Sequence, residues 1–268
     1  MEIFDKKSIT HLQLKIFEEK SEFVYAGFST RNGGVSSDRF STLNMGLHVL
    51  DEPENVIENR GKLAKELNAP LETWVCLDQT HGSNVHVATF TDKGKGTTSY
   101  NTAISNCDAV ITKEKNMMLF TCYADCVPLY FLDPIEEIIG LAHAGWKGTA
   151  KNIGKKTIDE MIKLGSKKEN IVTAIGPSIC SKCYSVSSDV TNQLIEAMQG
   201  NEVGIEQRNG KLYVDLKQVN HELFIQQGLQ SQQIFQTNYC TSCESELFFS
   251  HRRDAGITGR NASFIIQR

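Results

Sequence analysis

The chain has 268 residues, of which 40% are hydrophobic and 22% are charged, an ordinary composition for a globular protein. Its net charge of -4 argues against a nucleic-acid partner, because binding to phosphate backbones favours a strongly basic surface. No apolar run reaches the roughly 20 residues of a membrane span, since Asp125 interrupts the longest candidate. The N-terminus also lacks the basic and apolar regions of a signal peptide, so we expect a cytoplasmic protein with no membrane partner.

Strands and helices alternate along the chain, without internal repeats or a linker rich in Pro or Ser. Apolar runs rich in β-branched and aromatic residues predict strands, and apolar residues spaced three and four apart predict helices. The predicted strands cover 23–28, 109–112, 117–124, 127–132, 137–143, 246–251 and 262–267. The predicted helices cover 55–67, 150–164, 190–198 and 216–227. This continuous alternation predicts one domain.

Three candidate metal ligands lie in separate segments, each near the end of a predicted strand: His81, Cys126 and His143. Two imidazoles and a thiolate are ligands that tetrahedral zinc prefers, and three protein ligands leave a fourth position for water or substrate. Taken alone, each residue is better explained without a metal: His81 as an exposed loop histidine, Cys126 as a small core thiol and His143 as a histidine bonded to a backbone carbonyl. The neighbouring Asp125 and Gln79 favour a site, because an apolar core would not place polar groups there.

Basic residues near these ligands are candidates for anion binding. The junction Gly145-Trp146-Lys147-Gly148 follows His143, and its glycines, helix start and lysine charge could hold a phosphate. The spacing differs from a P-loop, so an ordinary glycine turn explains the junction alone equally well. Arg31 lies on a predicted loop, and a second polar loop near the C-terminus contains Arg252, Arg253 and Arg260. Without further context, that second loop is interpreted as a solvated turn.

Two Cys-x-x-Cys pairs, Cys180-x-x-Cys183 and Cys240-x-x-Cys243, raise the alternative of a structural zinc site. The pairs are much farther apart in the sequence than the ~15 to 20 residues of a compact zinc ribbon. Free cysteine is among the most buried residue types, so we favour core thiols whose spacing is coincidental. We therefore expect no second stoichiometric zinc ion in these pairs.

Several motifs occur together and in order from the Arg31 loop to the C-terminus. They are Phe28-Ser29-Thr30-Arg31-Asn32-Gly33-Gly34-Val35-Ser36, Leu43-Asn44, Gln79-Thr80-His81-Gly82, Cys107-Asp108-Ala109-Val110, Ala124-Asp125-Cys126-Val127-Pro128, His143-Ala144-Gly145-Trp146-Lys147-Gly148, Gly176-Pro177, Phe249-Ser250-His251-Arg252-Arg253-Asp254 and Thr258-Gly259-Arg260. In combination they resemble the laccase-domain family of the YfiH and YlmD type. The sequence departs from that pattern at Lys147, where many members have Arg, and at His251, where Tyr is usual. Cys180 and Cys243 are not part of the pattern.

The resemblance implies a single α+β domain over residues 1–268, with a mixed β-sheet and flanking helices. It implies a zinc ion on His81, Cys126 and His143, and phosphorolysis of adenosine, inosine, guanosine or methylthioadenosine to a free purine and a ribose 1-phosphate. It also implies adenosine deamination. The candidate catalytic residues are Cys126, His143 and Asp125, and the candidate substrate or phosphate ligands are Arg31, Asn44, Gln79, Lys147 and Arg253.

Three other functions remain open from the sequence. An older label for the family is copper-dependent polyphenol oxidase, but the seven histidines include no His-x-His pair, so a multicopper centre is not expected. Copper could still enter a single His-His-Cys site in vitro, because it binds most such sites more tightly than zinc. Cys126 activated by His143 could instead serve a metal-independent cysteine hydrolase. A noncatalytic zinc-binding protein is the third alternative, although an open site with three ligands argues against it.

Overall fold

A computed structural model describes residues 2–268, whose strands form two six-stranded sheets and one three-stranded sheet. The strands are β1 (Phe4–Lys6), β2 (His11–Leu14), β3 (Val24–Ser29), β4 (Trp74–Cys76), β5 (Val85–Val87), β6 (Ala109–Thr112), β7 (Met117–Tyr123), β8 (Val127–Asp133), β9 (Ile138–Ala144), β10 (Val172–Ile175), β11 (Ser185–Val186), β12 (Ile205–Arg208), β13 (Lys211–Val214), β14 (Ile234–Gln236) and β15 (Asn261–Gln267). The first sheet has the order β1-β2-β3-β15-β7-β4 and the second has the order β14-β10-β8-β9-β6-β5. Both are mixed, because β4 pairs with β7, β5 with β6 and β14 with β10 in parallel.

The two large sheets pack face to face around a central core. Successive side chains of a strand point to opposite faces, so a strand buried on both sides supplies two cores. In β7, Leu119 and Tyr123 enter the central core, whereas Phe120 packs on the outer face. In β8, Tyr130 joins the central core and Phe131 packs on the side of the helices. This double burial explains why the central strands are apolar at nearly every position.

Helices flank both large sheets. They are α1 (Lys15–Lys20), α2 (Pro53–Glu66), α3 (Trp146–Ala150), α4 (Ile153–Lys163), α5 (Ser188–Ala197) and α6 (Leu216–Gln226). Residues of α2 pack on the first sheet, and residues of α4, α5 and α6 pack on the second. Within residues 2–268, no helix combines the length and the apolar character needed to cross a bilayer. The chain is therefore a single α+β domain with mixed sheets and flanking helices, as expected.

Six of the seven predicted strands are confirmed within about two residues, and the one predicted at 246–251 is wrong. That segment consists of turns and irregular backbone, although Phe248 and Phe249 are fully buried. The Asn261 side chain accepts a hydrogen bond from the backbone N–H of Phe249 and donates one to its carbonyl. Because a side chain satisfies these buried backbone groups, the apolar segment needs no strand partner.

The helices predicted at 55–67, 190–198 and 216–227 correspond to α2, α5 and α6, but the one predicted at 150–164 is wrong at its start. The segment forms two helices, α3 and α4, which are separated at Asn152. Asn152 has a left-handed backbone with φ of 52°, and its side chain accepts a hydrogen bond from Lys155 N–H. Asparagine tolerates this conformation and caps helices well, so it ends one helix and begins the next.

The interpretation of the two Cys-x-x-Cys pairs as unrelated core thiols is also wrong. Their four sulfur atoms all lie within 4.8 Å of one another, and only Cys240 is buried. The reason is topological: Cys180 follows β10 and Cys240 follows β14, and these two strands are parallel neighbours. Parallel strands end at the same edge of a sheet, so segments distant in sequence meet there.

Candidate metal centre and cleft

The structure brings the three candidate metal ligands, His81, Cys126 and His143, together at one end of the sheets. One side-chain ligand atom from each lies within 4.8 Å of the others, and Cys126 Sγ is 3.9 Å from His81 Nε2. Cys126 lies in the connection between β7 and β8, and His143 is near the end of β9. Pairing of β8 with β9 places Pro128 opposite His143, which fixes the two ligands relative to each other.

Asp108, which is fully buried, organises the two histidines. Its Oδ1 accepts a hydrogen bond of 2.8 Å from Nδ1 of His143, which leaves Nε2 of that ring free to bind an ion. Oδ1 also accepts a hydrogen bond from the backbone N–H of His81 at 3.0 Å, and Oδ2 accepts one from the backbone N–H of Gly82 at 2.6 Å. These bonds hold His81 in a turn in which its φ is 59°. A carboxylate bonded to the second nitrogen of a ligating histidine is the usual support of a zinc site.

Gly145 leaves the space that two of the ligands occupy. A Cβ atom at this position would lie 3.0 Å from Cys126 Sγ and 3.1 Å from His81 Cδ2. Any larger residue would therefore push the thiol or the imidazole out of place. The glycine lies two residues after His143, and in this structure it makes room for the candidate metal ligands. Together with the soft donor set, this packing fits a zinc ion.

The charges of the centre favour the thiolate form of Cys126. Burial disfavours its ionisation, but His143 and His81 outweigh burial and lower the pKa of Cys126 to about 6. Burial likewise disfavours the charged form of His143, but Cys126 and Asp108 outweigh it and raise its pKa to about 9. A thiolate at neutral pH is the form that binds a metal or attacks an electrophile.

A cleft of about 420 Å³ opens over the three ligands, a size that suits a small organic ligand. Its other lining residues are His48, Gln79, Cys122, Ala124, Asp125, Trp146, Tyr184, His251, Arg252 and Arg260. Aromatic rings and cationic side chains thus face the same space. A much smaller cavity of about 20 Å³ adjoins it behind His48 and has room for little more than a water molecule.

One part of the cleft wall carries positive charge, from Arg252 and Arg260. Arg260 donates from Nη1 to the carbonyls of Thr258 and Gly259, and among the described residues its Nε and Nη2 have no acceptor. Burial, with help from Arg260 and Arg60, lowers the pKa of His48 to about 4, so this neighbour is neutral at pH 7. Arg252 lies over the Tyr184 ring at 4.9 Å and donates to the carbonyl of Ser185. The wall therefore suits an anion.

The structure places only one of the five predicted substrate or phosphate ligands in this cleft, Gln79. Three others have their polar atoms bonded to the protein elsewhere. Arg31 donates to the carbonyls of Ser41 and Ser245, Arg253 donates to Asp254 and to backbone carbonyls, and Asn44 is fully buried and bonded to Asp51, Gly46 and Arg260.

The fifth, Lys147, faces a separate groove beside Gln193 and Glu196. It lies at the start of α3, which has only five residues. The predicted phosphate cradle at this junction is therefore not formed at the metal centre. The two arginines that do line the cleft, Arg252 and Arg260, come from the same C-terminal loop as the predicted ligand Arg253.

Asp125, predicted as catalytic, lies in the cleft wall, and both of its carboxylate oxygens accept hydrogen bonds from the protein. Oδ1 accepts a hydrogen bond of 2.7 Å from the Thr241 hydroxyl, and Oδ2 accepts one of 2.7 Å from the backbone N–H of Arg252. Its own φ is 86°. These contacts tie the residue before Cys126 to two C-terminal loops, so Asp125 is placed to position the thiol and the arginine loop.

Asp108 was missed by sequence reasoning, although it lies in one of the family motifs, directly before β6. Replacement by Asn should lower the affinity for zinc about 10- to 100-fold, because Asn cannot keep the charge that orients His143. Competition with a chelator of known affinity would measure the change. Asp133→Asn is the matched control, since Asp133 is equally buried but lies at the far end of β8. Equal loss of zinc in both variants would contradict the role of Asp108.

Comparison with known proteins places the chain among related bacterial proteins. The family model for multi-copper polyphenol oxidoreductase laccase matches residues 25–268. The chain is 43% identical to purine nucleoside phosphorylase YlmD of Bacillus subtilis strain 168, over 92% of this chain and 90% of that protein. It is 35% identical to purine nucleoside phosphorylase SACOL1200 of Staphylococcus aureus strain COL, over 98% of both.

Solved structures agree with these relationships. The crystal structure of YlmD from Geobacillus stearothermophilus superposes with a TM-score of 0.95 at 38% identity and covers 100% of both chains. That of the hypothetical protein YfiH from Bacillus licheniformis gives a TM-score of 0.93 at 40% identity and covers 99% of both. Sequence and structure together show that the chain belongs to the laccase-like family whose model is described as multi-copper polyphenol oxidoreductase laccase.

Proposed function

We propose that the protein is a zinc-dependent purine nucleoside phosphorylase, acting at the cleft over His81, Cys126 and His143. The observation that carries the proposal is the convergence of this three-ligand centre with the guanidinium groups of Arg252 and Arg260 in one cavity. The relatives from Bacillus, Geobacillus and Staphylococcus support it, because each is named as a purine nucleoside phosphorylase. Eight free thiols suit a reducing compartment, which supports a cytoplasmic location.

The three ligands would hold zinc, and bound zinc would supply a Lewis acid that polarises an oxygen or nitrogen of the substrate. Asp108 keeps His143 in the tautomer that binds through Nε2, and it keeps His81 turned toward the cleft. Gly145 preserves the space between Cys126 and His81. These residues therefore set the position of the ion without entering the reaction themselves.

Phosphorolysis needs an anion site beside the sugar. A phosphate oxygen forms a bond to C1′, the bond from C1′ to N9 breaks, and its electron pair leaves with the purine, which takes up a proton. Arg260 offers Nε and Nη2 to the phosphate, and Arg252 adds a second charge on the same wall. Guanidinium groups bind phosphate through paired N–H donors, which fixes the direction of attack.

The aromatic residues of the cleft provide a surface for the base. Tyr184 and Trp146 both line it, and Arg252 lies over the Tyr184 ring. Burial raises the pKa of Tyr184 to about 12, so its hydroxyl stays protonated and can donate a hydrogen bond. A flat purine stacks favourably on such rings, with a gain of about 0.5 to 1.5 kcal/mol for each aromatic contact.

Two other activities would use the same cleft. Adenosine deamination would use water in place of phosphate at the three-ligand centre, and we propose it as a side activity. A cysteine hydrolase is favoured by the low pKa of Cys126 beside His143. A multicopper oxidase is disfavoured, because within residues 2–268 only one potential metal cluster contains histidine.

Product analysis with and without phosphate tests the proposal. Zinc-loaded protein incubated with inosine, adenosine or methylthioadenosine should release free purine only when phosphate is present, with one ribose 1-phosphate or methylthioribose 1-phosphate formed per purine. Inosine formed from adenosine without phosphate would report deamination. Release of purine and free ribose at the same rate without phosphate would show a hydrolase and contradict phosphorolysis.

A further inference from the structure

The second cluster of potential ligands is formed by Cys180, Cys183, Cys240 and Cys243, which we call the four-cysteine cluster. All four sulfur atoms lie within 4.8 Å of one another. Cys243 Sγ is 3.9 Å from Cys180 Sγ and 3.5 Å from Cys183 Sγ. Sulfur atoms bound tetrahedrally to zinc at about 2.3 Å are separated by about 3.8 Å. A disulfide needs about 2.05 Å, so the cluster has the dimensions of a metal site.

The backbone brings the two pairs together with little freedom. The parallel pairing of β10 with β14 continues as a bridge between Ser178 and Cys240, and Thr241 N–H donates to the Ser178 carbonyl at 3.2 Å. Cys183 N–H donates to the Cys180 carbonyl at 3.0 Å, which closes a turn around the first pair. The geometry is thus fixed by main-chain contacts that do not involve the sulfur atoms.

Two backbone N–H groups point at one of the sulfurs. Cys240 Sγ accepts from Cys180 N–H at 3.2 Å and from Cys243 N–H at 3.4 Å. Amide hydrogen bonds stabilise a thiolate, and such outer contacts support the ligands of metal sites generally. In the thiolate form that binds metals, four sulfur atoms packed this closely would repel one another. A cation bound between them would replace that repulsion with attraction.

We infer that the four-cysteine cluster binds a second zinc ion, in a closed site distinct from the centre at His81, Cys126 and His143. Zinc is the usual occupant of four cysteines supplied by two Cys-x-x-Cys pairs, and four protein ligands leave no position for substrate. The ion is therefore structural. The chain carries one open and one closed zinc site.

The closed site stabilises one wall of the cleft. Thr241 lies between the cysteines of the second pair, and its hydroxyl bonds Asp125, the residue next to Cys126. Tyr184 follows Cys183 directly and packs against Arg252 in the cleft. The zinc ion thus fixes the two loops that carry these contacts. Its loss should lower thermal stability and loosen the cleft wall, while the other zinc site keeps its ligands.

Zinc content of four purified proteins tests the inference. The wild type should carry two zinc ions per chain, Cys126→Ala one, Cys243→Ser one and the double variant none. Cys107→Ser is the matched control, because Cys107 is a half-buried thiol outside both clusters, and it should keep both ions. Because Cys243 is exposed, its replacement removes a ligand with little effect on packing. Cys180→Ser should repeat the result.

X-ray absorption at the zinc edge gives a second measurement that needs no change in the cluster. The single ion of Cys126→Ala should show four sulfur neighbours at about 2.3 Å and no nitrogen. A Cys126→Ala protein without zinc, a cluster filled with iron, or an intact disulfide among these cysteines would each overturn the inference. None of these results depends on phosphorolysis, so failure of the proposed enzymatic function would be seen separately.

Discussion

Replacement of Cys126 by Ala is expected to remove the zinc ion of the open site and to abolish phosphorolysis together. A bound thiolate is one of only three protein ligands there, so its loss should exceed the 10- to 100-fold weakening typical of lost outer contacts. The fold should persist, because Cys126 is half-buried and most small truncations cost about 1 kcal/mol. Zinc content, circular dichroism and the rate of inosine phosphorolysis measure the three effects.

Cys107→Ala serves as the control, since it removes a half-buried thiol from outside the metal centre. It should retain the zinc of the open site and the activity. An inactive Cys126→Ala protein with full occupancy of that site would contradict the metal role. Such a result would favour Cys126 as a nucleophile activated by His143, the alternative to which the low pKa of the thiol also points.

The strands were predictable because their residues are apolar on both faces. The segments that became β6, β7, β8 and β9 are fully buried, so their apolar runs were bounded clearly by charged and turn residues. The same criterion failed at 246–251, where burial is equally complete for Phe248 and Phe249 but Asn261 replaces the strand partner. The apolar residues of this segment correctly predict that it is buried. They do not predict its backbone conformation, which depends on hydrogen bonds to the side chain of Asn261.

The three candidate metal ligands could be singled out by residue type, but Asp108, which bonds to two of them, could not. His81, Cys126 and His143 are chemically distinctive, whereas Asp108 is one of many carboxylates until the fold places it between two histidines. The four-cysteine cluster shows the same limit. Its pairs are far apart in sequence, and only the parallel pairing of β10 with β14 brings them together.

The proposed anion site shows this limit of sequence analysis most clearly. Arg31 and Lys147 lie in motifs that suggest anion binding. In the structure, however, Arg31 donates hydrogen bonds to backbone carbonyls and Lys147 faces another groove. Arg260 lies in a loop that resembles a solvated turn, and the fold carries that loop to the cleft. Charge alone therefore does not identify a phosphate ligand. Arg260 differs from Arg31 and Lys147 because it lines the cleft and has two nitrogens without an acceptor among the described residues.

Replacement of Arg260 by Ala should raise the KM for phosphate and lower kcat/KM for phosphorolysis by about one to two orders of magnitude. The loss of a charge-assisted hydrogen bond costs roughly 1.5 to 3 kcal/mol, and Arg260 lines the cleft with Nε and Nη2 unpaired among the described residues. The KM for inosine should change little. Arg260→Lys should recover part of the loss, because it restores the charge without the paired donors.

Lys147→Ala is the matched control for this experiment. It also removes a cation close to His143 in sequence, but Lys147 lies outside the cleft, so the KM for phosphate should stay near the wild-type value. Thermal unfolding of each variant separates a loss of binding from a loss of structure, since Nη1 of Arg260 also bonds two carbonyls of its own loop. The assignment fails if Arg260→Ala lowers the rate with the phosphate KM unchanged, or if Lys147→Ala raises that KM equally. In the first case Arg260 would support the loop, and in the second the anion would bind on the other side of Trp146.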